Sequence, residues 1–124
     1  FAPLDVRLAL DSVVQPDIVV LLDDRLKVLS EEAVEGAPSI AVEVVSRSTN
    51  RRDLIVKRHL YAAHDVAEYW IADPAGKTLT IHPDPAGGQY RSVVTSLDIA
   101  TSVLLPNVSF DVGELFAPIC PVRK

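Results

Sequence analysis

The chain is short of several things, and each shortage excludes a class of protein. Its 124 residues include one cysteine, Cys120, and no methionine. A single cysteine builds neither a disulfide framework nor a zinc site, and it fits a reducing, cytoplasmic setting. Without methionine the sequence does not start at a natural start codon, so a piece of a longer product is expected, with N-terminal residues missing. No run of about 18 apolar residues occurs, so no membrane-spanning segment is expected. Asp5 and Arg7 interrupt the apolar residues between Phe1 and Leu10, so no secretory leader is expected either. Lysine and arginine number 12 against 17 acidic residues, a formal charge of −5. That argues against non-specific nucleic-acid binding by the whole surface, and it leaves room for a local basic patch.

What is present suffices for a core. Hydrophobic residues make up 48% of the chain and charged residues 23%, which excludes a disordered segment. The length allows a single domain over residues 1–124. Leu4, Val6, Leu8 and Leu10 alternate with more polar residues, the period of a half-buried strand, and Asp11-Ser12 suits a turn. Pro16 precedes Asp17-Ile18-Val19-Val20-Leu21-Leu22, a continuous apolar run that predicts a strand buried on both faces. Arg25 to Gly36 is polar and predicts a loop with a short helical turn. Ser39 to Ser46 predicts a second buried strand, with Glu43 inside it.

Ser48-Thr49-Asn50 offers helix-capping oxygens, and from Arg51 to His64 the spacing is helical. Leu54, Lys57, Leu60 and Tyr61 fall near one face, and Asp53, Lys57 and Tyr61 form a stripe four residues apart. Ala67 to Ala72 predicts a third strand, closed by the turn Asp73-Pro74-Ala75-Gly76. Lys77–His82 and Gln89–Val94 predict a hairpin around residues 83–88. Ser96 to Leu105 is ambiguous; Asn107–Phe110 suits a last strand and Asp111–Phe116 a short helix. This order predicts an α+β fold, a mixed sheet with a helix on at least one face.

Three polar residues stand where a core should be apolar. Asp17 opens one strand, Glu43 interrupts another, and Lys57 lies on the helix that follows. Charge in such places is costly unless it is paired or binds a cation. Two carboxylates on neighbouring strands repel each other, and a divalent ion removes that repulsion. Mg²⁺ takes one or two carboxylates and keeps several waters; it can polarise a phosphodiester and activate a water. A lysine nearby can steady the charge. A plainer arrangement satisfies the same residues: Glu43 in a buried ion pair with Lys57, Arg51 or Arg58, and Asp17 capping a turn.

Gln15-Pro16-Asp17-Ile18-Val19-Val20 resembles the Pro-Asp entry of the PD-(D/E)XK nuclease superfamily. Val42-Glu43-Val44-Val45-Ser46, Ser48-Thr49, Asp53, Lys57, Tyr61 and Glu68-Tyr69-Trp70-Ile71-Ala72-Asp73 resemble the Uma-two family of putative restriction endonucleases, over about Leu4 to Phe116. The resemblance implies a restriction-endonuclease-like core, a mixed sheet flanked by helices, with Asp17 and Glu43 as ligands of Mg²⁺ or Mn²⁺. The superfamily lysine stands two residues after the glutamate; Val45 fills that position here, and Lys57 on the next helix is the implied substitute. Arg47 stands where the family has a proline, and Ala67 where it has another. The resemblance also implies helices N-terminal to residue 1, one with an acidic residue that can complete the site; without them one sheet face is expected to be bare.

The remaining candidates have two readings each. Arg47, Arg51, Arg52 and Arg58 can hold nucleic-acid phosphates or form a solvated helix face. Ser46, Ser48 and Thr49 can touch a phosphate or cap the helix. Tyr61 can line the site or pack the core, and Glu68 can approach the metal or the lysine. His59, His64 and His82 have no metal-ligand spacing. The expected function is metal-dependent hydrolysis of phosphodiester bonds, with DNA as the partner. A homodimer is expected, because one site per chain cuts one strand. The alternative is a catalytically inactive nuclease-fold module that binds nucleic acid or protein.

Overall fold

The computed structural model describes residues 4–117. Cys120 lies outside them. The chain runs through β1 (Asp5–Ala9), β2 (Ser12–Val14), β3 (Ile18–Val20), a 3-10 turn (Asp23–Val28), β4 (Ala33–Val34) and β5 (Ile40–Val44). Then come α1 (Arg51–Ala63), β6 (Glu68–Asp73), β7 (Thr78–Pro83), β8 (Pro85–Ala86), β9 (Gln89–Tyr90) and β10 (Val94–Ser96). The last described elements are β11 (Ile99–Thr101), β12 (Ser109–Asp111) and α2 (Val112–Leu115).

A five-stranded sheet in the order β10-β7-β6-β5-β3 forms the centre. Only β5 and β6 pair parallel in it, because α1 carries the chain from one to the other. The other pairs are antiparallel, so the sheet is mixed, and the α+β expectation holds. A smaller sheet, β2-β1-β4, contributes Val6 and Val34, which pack with Val19 of β3.

Side-chain alternation divides the central sheet into two faces. Ala41 and Tyr69 face α1, where Tyr61 and Val66 join them in one cluster. Ile40, Val42, Trp70, Ala72, Leu79 and Ile81 face the other way, with Phe110 and Phe116 against them. Two tyrosines thus fill the helix-side layer, with rings 5.1 Å apart; each aromatic removes about 150–250 Å² from water.

Three expectations need correction. The run after Pro16 is not a strand buried on both faces. It is a three-residue edge strand, and Ile18 is 43% exposed because the sheet face it lies on is only partly covered there. Within Arg25 to Gly36 the two-residue β4 pairs parallel with β1, too short to leave a periodic signal. The hairpin after Lys77 is split. β7 pairs with β10 through Ile81 and Val94, while β8 and β9 form a separate small hairpin. Its turn is Gly87-Gly88, with φ of 61° and 78°. Tight two-residue turns need positive φ at both central positions, which glycine adopts freely.

Candidate active site

Glu43 is the odd member of its strand. Residues 40–43 of β5 are all buried, and alternation turns the Glu43 side chain to the α1 face. β3 runs antiparallel to β5 with Ile18 opposite Val42. Continuing that register by one residue sets Asp17 alongside Glu43. Asp17 is exposed, and its Oδ2 accepts the Val44 N–H at 2.6 Å. That bond holds the carboxylate to the end of β5.

Helix α1 supplies the rest. Asn50 caps it by accepting the Arg52 N–H at 2.8 Å. Thr49 Oγ1 accepts the Ser46 N–H at 2.8 Å, and the Ser46 and Ser48 hydroxyls lie 3.0 Å apart, so the connection folds on itself. Lys57 and Tyr61, one turn apart, both reach Glu43. Lys57 Nζ lies 3.3 Å from Oε1, and the Tyr61 hydroxyl donates to Oε2 at 3.1 Å. Burial pushes the Glu43 pKa up; the charge and hydrogen bond of Lys57 and the Tyr61 hydroxyl oppose this, while the Asp17 carboxylate adds to it. The Tyr61 hydroxyl is itself raised well above its ordinary value, by burial first and then by the Glu43 charge.

These groups open on a cleft of about 360 Å³, lined by Asp17, Glu43, Lys57, Asp53 and the Ser46 and Ser48 hydroxyls, among others. Three carboxylates face one ammonium there. Asp53 stands exposed on the first turn of α1. Its place four residues before Lys57 was the signal for it in the sequence. Among the described residues no group of three His, Cys, Asp or Glu side chains converges on a single point. The available donors are therefore the Asp17–Glu43 pair. Both Glu43 oxygens keep a lone pair beyond their bonds to Lys57 and Tyr61. Two carboxylates with water filling the other positions suit Mg²⁺ or Mn²⁺, whereas Zn²⁺ would want nitrogen or sulfur.

Asp17, Glu43, Lys57 and Tyr61 are thus brought together. Glu68 is not. In the β5–β6 register Glu68 pairs with Ile40, on the face away from α1. It is buried, and its oxygens accept from Trp70 Nε1, Ser102 Oγ and the Leu104 N–H, each at 2.8 Å. Its task is to tie the segment after β11 to β6, and the expectation that it approaches the metal or the lysine is corrected. Arg47 and Arg52 are exposed and do not line the cleft; Arg51 and Arg58 line a neighbouring one.

A family model described as "Uma2: Putative restriction endonuclease" matches residues 1–113. Among solved structures, the chain is similar to the crystal structure of a putative nuclease belonging to DUF820 from Anabaena variabilis, with a TM-score of 0.74 and 16% identity. The match covers 94% of this chain and 66% of that one, so the chain spans about two thirds of that structure's length. At this identity the likeness speaks for the fold. No curated protein matches the chain. No helix among the described residues is long and apolar enough to cross a membrane.

Proposed function

This chain belongs to the Uma2 family, and from that premise we propose that it is a metal-dependent endonuclease hydrolysing phosphodiester bonds of DNA. The observation that carries the reading is Asp17. A structural ion pair of Glu43 with Lys57 would be complete and neutral without it. With Asp17 alongside and Asp53 in the lining, the cleft holds surplus negative charge, and Asp17 adds to the burial that already raises the Glu43 pKa. Such a site attracts a cation. When bound, Mg²⁺ or Mn²⁺ supplies a water of lowered pKa and neutralises charge on the phosphate.

The chain's own residues do the rest. Tyr61 fixes the rotamer of Glu43 through Oε2, and the Val44 N–H fixes Asp17. Lys57 Nζ reaches the same cleft and stabilises negative charge gathering on the phosphate oxygens. The Ser46 and Ser48 hydroxyls at the lining can donate to the non-bridging oxygens. With one such site per chain, cutting both strands calls for two copies.

The test is cleavage of supercoiled plasmid by the full chain with Mg²⁺, Mn²⁺ or EDTA. Cleavage is expected with either ion and none with EDTA. Asp17→Ala should abolish it, and Lys57→Ala should slow it by about 10²–10³-fold, the size of losing one transition-state donor. Undiminished cleavage by Asp17→Ala would overturn the reading. Binding of DNA with no cleavage under either ion would favour an inactive nuclease-fold module.

A further inference from the structure

We propose that a second cleft, walled by Arg58, His82, Tyr90 and Arg91, binds the phosphate backbone of a nucleic acid and continues the path of a strand leaving the Asp17–Glu43–Lys57 cleft. The second half of this statement rests on the nuclease reading; the first half does not.

The cleft has a volume of about 300 Å³ and lies where α1 packs on β9, with His82 of β7 in its lining. Two guanidinium groups, of Arg58 and Arg91, line it, and no carboxylate does. In a chain with 17 acidic residues against 12 basic ones, that is a local reversal of sign.

Arg58 is the central observation. It is half-buried, and among the described residues its guanidinium has no ion pair and no hydrogen bond. Arg25 shows the contrast: also half-buried, it donates to the Pro38 and Asp65 carbonyls at 2.7 and 2.8 Å. With no carboxylate or carbonyl holding it, this guanidinium is free to take an incoming anion. A phosphate matches its planar fork of donors. Arg91 meets only Asp84, at 3.7 Å with both side chains exposed, a weak pair that an incoming phosphate can displace.

The floor is rigid. The Tyr90 hydroxyl donates to the Val66 carbonyl at 2.7 Å, and the Tyr90 ring lies 6.0 Å from that of His82. His82 Nδ1 bonds the Tyr69 carbonyl at 3.2 Å, and the two rings stack at 5.4 Å. Burial pushes the His82 pKa down, so the positive charge here is that of the arginines.

Continuity points to a polymer. Leu54 walls both the catalytic cleft and a shallower one that holds Arg51, Ile55 and Ile71. Arg58 walls that shallower cleft and the second cleft as well. The three depressions therefore lie in series along α1, and arginines line only the two beyond the carboxylates. A backbone with regularly spaced phosphates can occupy such a row, whereas an isolated anion would need one pocket only.

The test is fluorescence anisotropy of a short labelled DNA duplex with the full chain, in EDTA, over about 50–200 mM salt. Arg58→Gln and Arg91→Gln should each weaken binding several-fold. Each should also lower the log–log salt slope by about 0.9, the value for one phosphate contact. Arg58→Lys should keep most of the slope. Arg52→Gln, exposed and outside the cleft, should change nothing. Arg91 is exposed, so its variant probes the cleft even if Arg58→Gln folds poorly. No salt-dependent binding by the wild-type chain would overturn the proposal, as would slopes for Arg58→Gln and Arg91→Gln equal to wild type. Because EDTA removes cleavage from the measurement, a failed plasmid assay leaves this result standing. Unchanged slopes beside intact cleavage would sink the second cleft alone.

Discussion

Glu43 carries the energetic conflict at the residue scale. Burial and Asp17 favour its protonated form, while Lys57 and Tyr61 favour the carboxylate. Its folded-state pKa stays above the ordinary 4.5, so the folded protein holds the proton more tightly than the unfolded chain. Stability is then lost as pH rises through the window from 4.5 to the folded value. Glu43→Gln, in metal-free buffer, should therefore melt higher than wild type at pH 7. The gap should close as pH falls through that window and stay closed below it; thermal melts across pH would detect this.

The two tyrosines of the helix-side layer should behave oppositely. Tyr61→Phe removes a donor from Glu43 Oε2, so the acid limb of the cleavage rate should move to higher pH. The Tyr69 hydroxyl is buried with no hydrogen-bond partner among the described residues. Tyr69→Phe should stabilise by on the order of 1 kcal/mol, read from the urea midpoint, because an unsatisfied buried hydroxyl is costly. Glu43 and Lys57 were legible in the sequence as charges among apolar residues. Arg91 was not, since nothing local ties it to Arg58, 33 positions earlier in the chain.

At the scale of elements, the unit β5–α1–β6 positions the site. Its strands and helix were readable because long periodic segments dominate there. The start of β6 was expected at Ala67 and falls at Glu68, which alternation then turns away from the site. Glu68 instead secures the strand-poor segment around Ser102 and Leu104. Glu68→Ala leaves the Trp70 indole, the Ser102 hydroxyl and the Leu104 N–H without their acceptor. It should cost about 3 kcal/mol or more in urea unfolding, since each orphaned buried donor costs about 1–3 kcal/mol. Mn²⁺ affinity should be unchanged, which would separate this structural role from one at the site.

For the whole molecule, the proposed ion binding would be linked to stability. A ligand that binds only the folded state stabilises it by about 2.7 kcal/mol at a hundred times its Kd. Mg²⁺ should accordingly raise the melting temperature of the wild-type chain, EDTA should reverse the rise, and Asp17→Ala should show none. Equal shifts in both proteins would mean the ion binds elsewhere. The sheet face away from α1 is apolar and only partly covered. Ile18, Val44 and Leu115 are exposed along a groove of about 280 Å³ that also holds Trp70 and Phe116.

The sequence by itself determined the elements and the chemistry on offer. Apolar periodicity marks the strands and the helix, and a charge inside an apolar run marks the candidate site, because both signals are local and desolvation makes both costly to ignore. Only the tertiary structure decided which charges meet. Strand register and side-chain alternation put Asp17 beside Glu43 and sent Glu68 to the opposite face. The packing of α1 on β9 put Arg58 and Arg91 on one cleft. These are long-range contacts, and a one-residue change in register would have reversed the faces while leaving every local pattern as it is.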